Sequence, residues 1–158
     1  MKKTIYFDRF RGDHWPTPSL LEPFFLAPKG QEWSYRGGND SWGLEVQGLL
    51  GTDHLAPIDR VNSTLSMFGN PDLGALLLYD KWDGRIRRHH MFSSKGDLSR
   101  IRELVRSRHG TPLPVGLFVP FPVAWKAVKE FMETDGELPT SIGWVANQDL
   151  PPQTFPDP

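Results

Sequence analysis

The chain has 158 residues, a formal net charge of −1 and no cysteine, which excludes disulfide frameworks, thiolate nucleophiles and Cys-based zinc sites and makes the cytoplasm the default compartment. Its length suits one domain, residues 1–158, with a self-sufficient core, and fifteen Gly with fifteen Pro predict many turns and few long helices. After MKKTIYF the chain meets Asp8, Arg9, Arg11 and Asp13, so the apolar stretch of a signal peptide never forms, and no run reaches the ~18 apolar residues that a membrane span needs.

Residues 1–32, including DHWPTPSLLEPFFLAPKG, mix aromatics, prolines and charges without sustained periodicity and read as an irregular segment with one short strand near 4–7. In SWGLEVQGLL, Trp42, Leu44 and Val46 alternate with Gly43, Glu45 and Gln47, the period-2 signature of a strand with one buried face. RVNSTLSMFG puts Val61, Leu65 and Met67 on one face, interrupted at Ser63. In GALLLYDKWDGRIRRHHMF, Asp83-Gly84 separates two extended runs and favours the positive φ values of a tight hairpin. Together these segments predict an antiparallel meander.

In SSKGDLSRIRELVRSRHG, Asp97 is placed to cap a helix whose apolar stripe is Leu98, Ile101, Leu104 and Val105, with Arg100, Arg102, Arg106 and Arg108 opposite and Gly110 as its stop. TPLPVGLFVPF reads as a short strand bounded by prolines. Pro122 then suits the first position of a second helix, whose apolar rows are Val123, Ala127, Phe131 and Ala124, Val128, Met132. Gly136 supplies the C-terminal cap, Pro139 prevents a restart, SIGWV forms a last strand, and 147–158 is a Pro-rich tail. The predicted class is α+β: a mostly antiparallel sheet, built as a meander of hairpins, with two helices packed on it.

Charge is segregated. Nine basic residues between Lys81 and His109 stand against Asp83, Asp97 and Glu103, while 130–158 holds six acidic residues and no basic one. The basic segment, with Trp82, His89 and Phe92 as stacking groups, could serve a nucleic-acid-binding module spanning 81–109. Against that, the chain has a pI of about 6.5 and the acidic end would compete for the same surface. His89-His90 could serve a small enzyme with an aspartate, but successive strand residues face opposite ways and no His-x-x-x-His or His-x-His pattern supports a metal. His14, His54 and His109 are isolated. RGGND and SSKGD fit no phosphate loop, no Gly-x-Ser-x-Gly elbow occurs, and the carboxylate pairs Asp53/Asp59 and Asp80/Asp83 would need proximity in the fold. No catalytic residue, metal ligand or cofactor is assigned. Glu133, Asp135 and Glu137 sit on or just past a helix C-terminus, where negative charge does not help the helix dipole; with Asp149 they are the candidate contacts for a partner.

The segment LPVGLFVPFPVAWKAVKEFMETDGELPTSIGWV, within 113–146, resembles the C-terminal signature of an immunity-protein family of bacterial polymorphic toxin systems, the first of the numbered Imm series. The family's strand, helix of the form A-x-x-A-x-x-E-F, turn, Pro and Trp strand are matched by Ala124, Ala127, Glu130, Phe131, Thr134, Gly136, Pro139, Ile142 and Trp144. ALLLYDKWDGRIRRHHMFSSKGD looks like the family's central hairpin. The resemblance implies a cytoplasmic α+β protein that binds a cognate toxin domain, with a nuclease or deaminase as candidates, and blocks its active site without catalysis or cofactor. It makes Ala127, Phe131, Pro139 and Trp144 structural signature residues; the charge pattern leaves two toxin-facing surfaces open, the acidic segment with Glu133, Asp135, Glu137 and Asp149 as guessed contacts with a basic cleft, or the basic middle against an acidic toxin surface.

Overall fold

In the computed structural model, which describes all 158 residues, the meander forms as predicted from β3 (Ser41–Leu49), β4 (Val61–Asn70), β5 (Gly74–Asp83) and β6 (Arg88–Ser94), each antiparallel to the next. β10 (Trp144–Ala146) pairs with β6, and β1 (Lys2–Phe7) with β2 (Phe10–Gly12) extends the opposite edge, giving the order β10-β6-β5-β4-β3-β1-β2. β9 (Phe118–Val119) pairs with the first residues of β5. The sheet and its two helices place the chain in the α+β class. Neither helix is long and apolar enough to cross a membrane.

Residues 1–32 are not irregular. Beside β1 and β2 they form α1 (Pro18–Leu26), which buries Leu21 and Phe25 although Pro23 lies inside it. Phe7 holds this segment down: its ring lies 5.2 Å from Phe24, 5.9 Å from Phe25, 5.4 Å from Trp33 and 5.7 Å from Trp42. Aromatic burial of this kind supplies what the broken helical pattern lacks. Gly69 makes room for it, since a methyl there would run into the Trp33 indole.

The helix expected at 97–109 is also replaced. Asp97 caps as predicted, accepting from the Ser99 N–H at 3.1 Å, but only a single 3-10 turn follows, Leu98–Arg100. The chain then enters a hairpin of β7 (Leu104–Arg106) and β8 (Pro112–Pro114). Leu98, Ile101 and Val105 still reach a common apolar cluster, whereas Leu104 is exposed. α2 (Phe121–Glu133) does follow its predicted rows, burying Ala124, Ala127, Val128, Phe131 and Met132 together with Phe121 and Trp125. Its cap differs in detail. Asp135 takes the left-handed position with φ 54°, and the Gly136 N–H donates to the Phe131 carbonyl at 2.8 Å, a Schellman closure in which Gly136 is one residue further on.

The Asp83-Gly84 turn needs four residues, 84–87, and its positive φ falls on Arg87 at 54°. Gly84 is small for another reason: a methyl there would strike the backbone of Ile58, Asp59 and Arg60. The Asp83 carboxylate accepts from the Arg85 side chain at 3.0 and 2.9 Å and from its backbone N–H at 3.0 Å, which holds its pKa down to about 2. Because the folded value lies below the ordinary ~3.9 of an unfolded Asp, the stabilisation is complete above that value and is lost as pH falls towards the folded one. The melting-temperature gap between wild type and Asp83→Asn is therefore expected to be present at neutral pH and to close between about pH 4 and pH 2. A gap that is the same at pH 2.5 and pH 6 would contradict this assignment.

Candidate interaction surface

Alternation along the strands gives the sheet two unlike faces. Ile5, Phe7, Trp42, Leu44, Val46, Leu65, Met67, Leu77 and Tyr79 lie beneath the helices in one apolar core. The other face carries Tyr6, Glu45, Asn62, Thr64, Asp80, Trp82, His89 and Met91. The stretch from Leu98 to Phe118 covers only one end of it, where Leu76, Leu113, Leu117 and Phe118 are buried among Phe68, Leu73, Leu78 and Leu150. The remaining end is open.

There the strand register places side chains in two rows. One runs Thr4, Glu45, Thr64, Asp80, Met91 and the next Lys2, Gln47, Asn62, Trp82, His89. His89 Nδ1 lies 2.9 and 3.1 Å from the two Asp80 carboxylate oxygens, and its ring sits 4.6 Å from Trp82. The Trp82 indole N–H donates to the Ile58 carbonyl at 2.8 Å, which fixes the ring. Pro57 and Ile58 form one wall of a cavity of about 510 Å³ whose floor is Glu45, Asn62, Thr64 and Asp80. Tyr6, Ile58 and Met91, 43, 57 and 44% exposed, stand on or beside this face, a cluster of aromatic, aliphatic and thioether surface of the kind enriched at protein interfaces.

The four candidate carboxylates do not share a surface. Glu133, Asp135 and Glu137 gather at the C-terminus of α2, where Gly136 packs on Val46 and Ser63 of the helix-covered face and its carbonyl accepts from the Tyr79 hydroxyl at 2.9 Å. Asp149 follows β10, next to Leu150, which packs in the cluster on the opposite face. Glu133, Glu137 and Asp149 are exposed, while Asp135 accepts an ion pair from Lys3 at 2.5 Å. Of the signature residues, Ala127, Phe131 and Pro139 are buried, and Trp144 is half-buried with its indole N–H donating to the Pro139 carbonyl at 2.7 Å.

The basic segment does not form a single charged stripe. Arg85 is paired with Asp83, Arg87 with Asp59 and Arg100 with Glu103, while Arg106 donates to the Gly110 carbonyl and the Arg108 guanidinium lies over the Tyr35 ring. Trp82 and His89 share the open face, but Phe92 turns to the other side against Tyr79, so the three do not make one stacking platform. His90 lies on that other side as well, facing Lys81 across the strand pair. Asp53 is held by the N-terminal amine at 3.1 Å, and Asp80 and Asp83 point to opposite faces, so neither carboxylate pair comes together. No three His, Asp or Glu side chains converge on one point. β10 pairs only with Phe92–Ser94 of β6, which leaves 88–91 as a free strand edge bearing Arg88 and two histidines, polar groups that discourage edge-to-edge pairing.

The family model described as immunity protein Imm1 matches residues 5–146. No curated protein and no solved structure matches the chain significantly.

Proposed function

The chain belongs to the Imm1 immunity protein family, and from that premise we propose that it acts in the cytoplasm by binding a cognate toxin domain, a nuclease or deaminase, and occluding its active site. The observation that carries this reading is the family match across nearly the whole chain, from β1 to β10. The geometry is in keeping with it: a rigid sheet, covered on one face, presents a partly apolar, polar-rimmed opposite face. Inhibition by occlusion requires binding, not chemistry. The test is co-expression with the C-terminal domain encoded by the adjacent gene. A stable one-to-one complex that abolishes that domain's toxicity is the expected result, and a toxin domain that neither binds nor is neutralised would remove the reading.

Within this proposal, Glu133 and Glu137 act by steering. Exposed charges at an interface rim change association rates more than they change final contacts. Glu133→Lys with Glu137→Lys is expected to slow association several-fold, on the order of 3- to 10-fold, and to flatten its salt dependence, with little change in dissociation. Stopped-flow association at two ionic strengths reads both. Asp135 is better probed as Asp135→Asn, because it occupies a left-handed position that Asn tolerates and because Lys3 depends on it.

A further inference from the structure

We propose that the cavity on the open sheet face, formed by Glu45, Asp80 and Trp82, receives an arginine side chain of the toxin; this deepens the immunity reading and rests on it. Two carboxylates flank the opening. Glu45 and Asp80 lie across from each other on either side of Thr64, in register on β3, β4 and β5, so their backbones stand about two strand spacings, roughly 9–10 Å, apart. Glu45 also accepts from the Gln47 side-chain amide. None of the eight residues lining the cavity is Lys or Arg. Of the nearby cations, Arg60 donates to the Leu55 carbonyl and to Gln47, Arg87 pairs with Asp59, Lys81 lies on the other face, and Lys2 stands at the far end of the next row, opposite Gln47.

The cavity wall selects the kind of cation. Trp82, held by its hydrogen bond to Ile58, offers an aromatic face, and a guanidinium can stack on indole while donating two parallel hydrogen bonds to a carboxylate. An ammonium can do only part of this. His89 contacts both Asp80 oxygens through one ring nitrogen, which orients the carboxylate and leaves one outer lone pair on each oxygen for a further donor. Exposed Ile58 lines the opening and exposed Met91 stands opposite Asp80, so a docked protein would exclude water from the ion pair, the setting in which an Arg anchor contributes most to binding.

Two titrations test this, one without the toxin. In the first, N-acetyl-arginine methylamide is titrated into the ¹⁵N-labelled protein while the indole N–H signals are followed, with Trp82 assigned through Trp82→Phe. The arginine amide is expected to move the Trp82 signal while N-acetyl-glutamine methylamide does not, and Glu45→Gln with Asp80→Asn should weaken the response about tenfold. Equal responses to the two amides, or an undiminished response in the double variant with an unchanged melting temperature, would overturn the cation site. In the second, the domain from the adjacent gene is titrated against wild type and against Asp80→Asn with Trp82→Phe. A loss of affinity of about 50-fold or more is expected, because a desolvated charge pair and its aromatic support are removed together. Unchanged affinity overturns the anchor. A protein that takes the arginine amide yet forms no complex with that domain removes the immunity reading and leaves the cation site standing.

Discussion

Phe131→Ala is expected to lower the free energy of unfolding by about 3–5 kcal/mol, a large part of the roughly 5–15 kcal/mol that holds a domain of this size together. The side chain has no solvent exposure and lies between layers, with its ring 5.6 Å from Trp15 and 6.1 Å from Tyr79. Truncation leaves a cavity whose walls cannot readily collapse. On one side stands the sheet, and on the other the Phe131 carbonyl is tied to Gly136 by the closure of α2. Phe131→Leu keeps most of the volume and is expected to cost less than half as much. Urea unfolding of the two variants reads both values. At a temperature where Phe131→Ala is still folded, its affinity for the toxin should match wild type, because the residue supports α2 from beneath and reaches no surface. A binding defect without a stability defect would move Phe131 from the core to the interface.

The parts of the fold that could be read from the sequence are those where local pattern and tertiary burial agree. β3 alternates in sequence and in burial, and the rows of α2 in the sequence are those buried in the structure. In β4 the apparent interruption at Ser63 is a buried position facing Gly136, so the alternation is unbroken in space. Misreading came where backbone packing overrides pattern. Leu98, Ile101 and Val105 have helical spacing, yet the same side chains reach the core from a turn and a strand. The close approach of Gly96 to the carbonyls of Phe118 and Gly116, and of Gly116 to the backbone at Asp97 and Ile101, leaves no room for a helix to run on. α1 was hidden by Pro23 and by a run of aromatics that only make sense around Phe7. The cavity was half legible: alternation puts Asp80 with Trp82 and Glu45 with Gln47. Whether that face is covered depends on 97–119, the stretch whose pattern misleads.

Gly74→Ala is expected to cost roughly 4 kcal/mol or more, beyond the ordinary range of single substitutions, and to reduce the yield of folded protein sharply. Two effects add at this position. The backbone has φ 100°, which an L side chain adopts only under strain, and a methyl would strike the Val119 carbonyl and Pro120, main-chain atoms that cannot rotate away. Gly110→Ala separates the two effects, because φ there is 85° while nothing lies near the added methyl; it should cost about 1–2 kcal/mol. The difference between the variants measures the clash alone, and equal costs would mean that the backbone yields. The clash falls where β9 joins β5, at the pairs Ala75 with Val119 and Leu76 with Phe118. That junction fastens the partial cover of the outer sheet face and leads directly into α2. Loosening it should expose Leu76 and Phe118 at the covered end of the face, so a folded remnant of Gly74→Ala is expected to bind hydrophobic dyes that wild type does not. The same contact that stabilises the domain thus sets how much of the face is left free for a partner.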